Sequence, residues 1–210
     1  MEQKYFNYSL MPKLAIDDFF VSSSNFKAYN LLLKSENKYR NFLLIGPSKS
    51  GKTHLGLIWK NHFNALTYEN NINDILKNKK NIFIDNFFHH INEEEIFHII
   101  NHCNSNNLHL LITSQKPLYE YNFRLKDLSS RLKTFIPTVI DLPDDELLIN
   151  LMIKLFHDKQ IIIKNPDILN YIIKRVNRSY DKVFILIDKI DKLLLQKNKQ
   201  LSIPIIKELL

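Results

Sequence analysis

Continuous apolar runs recur along the chain, each separated from the next by a stretch of helical period. Phe42-Leu43-Leu44-Ile45 is the first; runs at 65–68, 81–85, 109–113 and 138–142 follow. Between them the spacing of apolar residues predicts helices over 54–62, near 72–78, and over 93–104 and 128–133. Strands apolar on both faces that alternate with helices mark a buried parallel sheet joined by βαβ crossovers. Upstream, the cluster Ser22-Ser23-Ser24-Asn25 precedes the periodic stretch 26–33, the pattern of a capped helix. Residues 1–16 lack periodicity, and Pro12 keeps them extended, so they read as an arm.

After Pro143 the character changes. Asp144-Asp145-Glu146 places negative charge at the start of a helix running to about Lys159. Asn165-Pro166-Asp167 opens a second over 166–176, Ser179 caps a third to about Gln196, and Pro204 opens a last one. Only Ile161-Ile162-Ile163 carries a strand signal there. The predicted organisation is an arm (1–16), an α/β domain with a parallel sheet flanked by helices (17–143), and a small all-α annex (144–210).

At 210 residues and 45% hydrophobic content the chain can bury a proper core. The single Cys103 excludes an internal disulfide and fits a reducing compartment. No secretory leader and no apolar run of membrane-spanning length is visible, so a cytoplasmic protein with no membrane contact is expected. The net charge of +7 invites a nucleic-acid reading, but the lysines are scattered. The cluster Lys174, Arg175 and Arg178 reads as a solvated basic face ahead of a DNA groove. His98 and His102 have i,i+4 spacing, and His89-His90 lie nearby, without the glutamate of an H-E-x-x-H metal site.

The first apolar run leads into Gly46-Pro47-Ser48-Lys49-Ser50-Gly51-Lys52-Thr53, which fits G-x-x-x-x-G-K-[ST] at every position. Strand, tight loop and helix start are the context a phosphate-binding loop requires. Its glycines let backbone N–H groups surround phosphate oxygens, and the helix N-terminus adds partial positive charge. Lys52 is placed to reach the β and γ phosphates, and the Thr53 hydroxyl to ligate Mg²⁺. Two of the chain's three glycines lie here.

Ile82-Phe83-Ile84-Asp85 is an apolar strand ending in an acid, about thirty residues after Lys52. Asp85 suits a carboxylate that holds Mg²⁺ through water. Asn86 stands where many ATPases carry a second acid; an amide orients water but cannot take its proton. Weak intrinsic hydrolysis is therefore expected. Thr113 and Ser114 end the next strand with hydroxyls that can sense a γ-phosphate or position water, although hydroxyl residues commonly end strands. Arg131, in Leu128-Ser129-Ser130-Arg131-Leu132, is either a surface arginine or one that reaches a neighbour's nucleotide.

Together these segments resemble an AAA+ module, and more closely the DnaA-related regulators of the Hda family. Phe20 to Tyr29 resembles the adenine-contact segment, which implies a base-side role for Asn25. GPSKSGKTHL resembles the family's P-loop, IFIDN its Walker B strand, LLITS its sensor 1, and LKDLSSRL the box that holds an arginine finger, which puts Arg131 in that role. SIPIIKELL is similar to the family's C-terminal ending. Two positions depart from the pattern. Asp181 stands where sensor 2 has an arginine, with Lys182 or Arg178 as substitutes, and Gln115 replaces an aspartate. Gln3-Lys4-Tyr5-Phe6 resembles the family's sliding-clamp peptide only at its glutamine and aromatic end.

The resemblance implies ATP or ADP with Mg²⁺ as cofactors, and DnaA and the DNA polymerase sliding clamp as partners. Self-association is open, and DNA contact is expected to be indirect or weak. The implied activity is promotion of hydrolysis of DnaA-bound ATP on the DNA-loaded clamp, which suppresses re-initiation of replication. The absence of residues after the annex for a helix-turn-helix domain argues for a regulator over an initiator. The rivals are a helicase-loader-like AAA+ ATPase, a small-molecule P-loop kinase, and a DNA-binding module that exploits the basic charge.

Overall fold

The computed structural model describes residues 18–34, 39–69, 71–87, 92–197 and 200–209. The N-terminal arm and its Gln3–Phe6 segment lie outside them. Five strands form one parallel sheet in the order β2-β3-β4-β1-β5. They are β1 (Asn41–Ile45), β2 (Leu66–Thr67), β3 (Ile82–Ile84), β4 (Leu110–Ser114) and β5 (Ile136–Val139). The helices around the sheet are α1 (Phe26–Lys34), α2 (Lys52–His62), α3 (Ile72–Leu76), α4 (Glu93–Ser105) and α5 (Lys126–Leu132). The annex comprises α6 (Asp145–Asp158), α7 (Asp167–Ile173), α8 (Tyr180–Lys197) and α9 (Ile203–Lys207). The expected α/β class, with an all-α annex, is borne out.

The central strands are buried on both faces, β3 and β4 throughout, which explains their uninterrupted apolar runs. Helix starts follow local chemistry. Asn92 accepts from Glu94 N at the head of α4, where Glu93, Glu94 and Glu95 meet the positive end of the helix. Asp144 caps α6 by accepting from Leu147 N at 2.7 Å.

Three expectations are corrected. The last strand spans Ile136–Val139, three residues earlier at its end than the run 138–142 suggested. Its partner β1 ends at Ile45, opposite Val139, so no ladder remains for the residues beyond Ile140. Pro137 is tolerated because β5 is an edge strand. Ile161-Ile162-Ile163 forms no strand; Ile161 and Ile163 pack on the annex core instead. The helix expected over 166–176 is shorter, Asp167–Ile173.

One core lies between the sheet, α3, α4 and α5, and a second fills the annex. A third joins α1, α2 and the other sheet face to Leu147 and Tyr180 of the annex. Annex and sheet domain therefore share apolar packing beside the site. Within this core Gly56 lets α2 sit on the sheet: an added Cβ would lie 2.2 Å from Phe83 Cζ, in a ring buried in β3. Gly56→Ala is expected to destabilise the protein by roughly 2–3 kcal/mol through overpacking. The melting temperature should fall by about 5–10 °C, and an unchanged melt would contradict this packing.

Candidate functional site

Because every strand is parallel, the carboxyl ends of β1, β3 and β4 lie along one edge of the sheet. The loop after β1, Asp85 after β3, and Thr113 and Ser114 at the end of β4 meet there. Crevices of this kind are where open α/β sheets bind ligands.

The loop 46–53 is shaped by its backbone. Lys49 (φ 58) and Gly51 (φ 88) are left-handed, and Gly46 is closely enclosed. A Cβ on Gly46 would lie 2.8 Å from Ser50 Oγ and 3.1 Å from Ile140 O. Holding a lysine in that region costs about 1 kcal/mol, a strain typical of functional loops. Pro47 O accepts from Ser50 N at 3.3 Å and from Lys52 Nζ at 2.7 Å. Ser50 Oγ is buried with no hydrogen-bond partner among the described residues. An orphaned hydroxyl and a folded-back ammonium inside one cradle are groups that an anion would satisfy. Burial pulls the Lys52 ammonium below the usual lysine range, while the carboxylates of Asp85 and Asp181 oppose that shift.

Asp85 is held from both sides. Its carboxylate accepts from Thr53 Oγ1 at 2.7 Å and from Thr113 Oγ1 at 2.5 Å. Thr113 Oγ1 in turn accepts from Asn86 N at 2.7 Å, which fixes the left-handed Asn86 (φ 50) beside it. Thr53, Asp85, Asn86 and Thr113 are thus brought together. The oxygen donors of Thr53 and Asp85 fit a hard divalent cation such as Mg²⁺. Ser114 is turned elsewhere: its Oγ donates to Lys116 O at 2.6 Å and lies 3.3 Å from Tyr121 OH.

Asn25 is buried and closes its own turn, accepting from Ser22 N and donating to Phe20 O, both at 2.9 Å. The aromatic beside the loop is Phe19, a residue that sequence reasoning passed over. Its ring stacks on Tyr29 at 6.0 Å, meets His54 edge-on at 5.2 Å, and stands 3.3 Å from the Cβ position of Gly51. The Phe19-Phe20 pair just before the serine cluster was the available signal.

The annex reaches the same loop through the start of α8. Lys49 Nζ lies 4.6 Å from the centroid of the Phe184 ring, and Tyr180 OH donates to Asp141 O at 3.3 Å. Asp181 adds its negative charge toward Lys52. Arg178 does not take the place of a phosphate-facing arginine, because it pairs with Asp145 at 3.0 Å. Lys182 is exposed. Asp181→Asn is therefore expected to tighten ATP binding by about 3- to 10-fold by removing like-charge repulsion. Titration with a fluorescent nucleotide checks this; unchanged affinity would mean that Asp181 is screened from the phosphates.

Arg131 lies on α5, half-buried, with its guanidinium carbon 5.0 Å from the centroid of the Phe97 ring on α4. That stacking holds the side chain on the α4–α5 face. A shallow cavity on the same face is lined by Phe97, His98, Arg124 and Leu125, and Glu93 accepts from Arg124 N and Leu125 N at its edge. Cys103 is buried in α4, and burial pushes its thiol up to about 12, so it is unreactive at neutral pH. His102 bonds Asn78 O at 3.0 Å, and His89-His90 lie outside the described residues. No described helix is long and apolar enough to cross a membrane.

A phosphate-binding loop, a carboxylate strand, a hydroxyl-bearing neighbour strand and a helical lid against the loop define an AAA+ module. Residues 151–210 match the family model of the Hda lid domain. No curated protein matches the chain in sequence. Among solved structures the chain is similar to domain III of the Thermotoga maritima replication initiation protein DnaA. The TM-score is 0.75 at 20% identity, covering 95% of this chain and 96% of that one. AMPPCP-bound DnaA from Aquifex aeolicus gives a TM-score of 0.66 at 17% identity, covering 90% of this chain and 67% of that one. The Thermotoga maritima RuvB Holliday junction branch migration motor gives 0.67 at 16%, covering 94% and 71%. The chain therefore has the fold of DnaA domain III, and its residues 151–210 match the lid domain of the Hda family.

Proposed function

We propose that this protein is an adenine-nucleotide-binding regulator that restrains replication initiation by promoting hydrolysis of DnaA-bound ATP. The observation that carries the reading is the Hda lid joined to a DnaA-like nucleotide-binding fold. Lys52, Ser50 and the N–H groups of the loop hold the protein's own ATP or ADP, with Thr53 and Asp85 as the residues that would hold Mg²⁺. That ion would supply charge neutralisation at the phosphates. Asn86 cannot accept a proton from water, so the protein's own nucleotide sets the conformation of the lid and loop and is turned over slowly.

Arg131 supplies the chemistry. Carried on α5 and steadied by Phe97, it is presented across an AAA+ interface toward the γ-phosphate held by DnaA. A guanidinium placed there stabilises charge on the transferring phosphoryl group. The working complex assembles on the DNA-loaded sliding clamp, with the Gln3–Phe6 segment as the docking peptide.

The test is single-turnover hydrolysis of ATP preloaded on DnaA, with and without this protein, clamp and DNA. Stimulation that requires all three supports the proposal. Failure to stimulate, with nucleotide binding intact, would assign the AAA+ module to another partner.

A further inference from the structure

The end of the sheet away from the phosphate loop gathers Lys77, Lys79 and Lys80, adjacent in sequence, with the distant Arg40 and Lys60. The amino ends of β1, β3 and β4 and the carboxyl ends of α2 and α4 converge there. Backbone and side-chain bonds tie them together. Leu110 N donates to Arg40 O at 2.9 Å and Ile82 N to His109 O at 2.9 Å. Asn81 joins Phe63 O to His109 N through bonds of 2.8 Å each, and His102 reaches Asn78 O at 3.0 Å.

Arg40, Lys60, Lys77, Lys79 and Lys80 stand on the segments that meet here. Across residues 39–41, 60–65, 74–81 and 102–109, Asp74 is the one carboxylate. Among the described residues, none of these five cations is in an ion pair. Arg40 donates to Asn107 Oδ1, while the four lysines are outside ion pairs; in the lid, Arg175 and Arg178 are engaged on Tyr171 and Asp145. The field at this end is positive enough to act on a neighbour. After burial, the Arg40 charge is the next cause that holds the His109 imidazole below its ordinary value.

Complementing helix dipoles accounts for part of this charge: Lys60 and His62 end α2, and His102 ends α4. It does not account for Arg40, Lys79 and Lys80, which stand in loops entering strands. Asn61 and Asn64 lie among the cations as neutral polar groups, while Asn78 Nδ2 donates to Asp74 O and Asn107 Oδ1 accepts from Arg40. Large exposed apolar groups are sparse, limited to Tyr39 and Leu76. Four lysines outside ion pairs, an arginine beside them and few apolar anchors fit phosphate oxygens better than a protein hot spot.

We propose that this basal end of the sheet binds the phosphate backbone of duplex DNA, without reading sequence. β1 spans five residues between the two ends, roughly 16 Å at about 3.3 Å per residue, so DNA here leaves the phosphate loop open. The contact is separate from the nucleotide-dependent activity and does not rest on it.

The test is anisotropy of a labelled random-sequence duplex of about 20 base pairs, titrated with the full chain at salt from about 50 to 200 mM. The variants are Lys77→Gln/Lys79→Gln/Lys80→Gln and, as a charge-matched control, Lys174→Gln/Lys189→Gln/Lys192→Gln on exposed lid positions. The basal variant should lose at least about ten-fold in affinity at the lowest salt, with the slope of log affinity against log salt shallower by about 2–3. The control should stay within about two-fold, and nucleotide binding by both variants shows that they fold. Equal losses in both variants would reduce the effect to net charge and overturn the proposal. So would no duplex binding at the lowest salt, or binding of poly-glutamate in preference to duplex, which would assign this end to an acidic protein.

Discussion

Arg131→Ala should abolish the stimulation of DnaA-bound ATP hydrolysis, lowering the stimulated rate by about 10³-fold or more, the scale of an arginine finger. Lysine should not rescue it, because an ammonium cannot reproduce a planar fork that spans two phosphate oxygens. Phe97→Ala should give a partial loss: the guanidinium survives but loses the ring, 5.0 Å away, that orients it. Neither change should unfold the protein. A cation–π contact at a half-exposed site is worth about 0.5–1 kcal/mol, which lowers the melting temperature by only a few degrees. Single-turnover decay of DnaA-bound radiolabelled ATP measures the effect. A rate unchanged in Arg131→Ala would remove the residue from the mechanism whatever the remaining activity.

Lys52→Ala should weaken ATP and ADP binding by about 100-fold or more, since it removes charge-assisted hydrogen bonds to two phosphates from a partly desolvated site. Without nucleotide the variant should melt close to the wild-type temperature. The residue removed is a buried ammonium bonded only to a loop carbonyl among the described residues, with burial already working against its charge. With nucleotide the two proteins should part. At about 100 times its dissociation constant a ligand stabilises the folded state by about 2.7 kcal/mol. That is roughly 5–10 °C for a chain of this size. The wild type should show this shift and the variant should not. Calorimetric titration and thermal melts with and without nucleotide decide it; a variant that keeps the full shift would place the phosphates elsewhere.

Much of this site was legible because its chemistry is local. Gly46 to Thr53 is one continuous motif with its own flanks, and Asp85 announces itself as an acid ending an apolar strand. Asn86 and Thr113 were legible as candidates, but not their bond to each other, which joins residues 27 apart in sequence. Asn25 shows the converse: its neighbourhood was read well, yet its amide is spent on closing a turn between Phe20 and Ser22. The boundary of the last strand went astray because edge strands stop where their neighbour stops, and Ile45 is remote from Val139 in sequence.

The sequence by itself determined the alternation of buried strands and helices, the phosphate loop, the acid at the end of β3 and the helical lid. Each is encoded by periodicity or by a short motif whose residues act within a few positions of one another. Only the tertiary structure decided that Asp85 is clasped between Thr53 and Thr113, that Arg178 serves Asp145 while Asp181 faces Lys52, and that Phe184 of the lid sits under Lys49. It also gathered Arg40, Lys60 and Lys77–Lys80 at one end of the sheet, although they are up to forty positions apart. The physical reason is the same throughout: strand order and lid docking bring distant segments together, and charges interact through space, not along the chain.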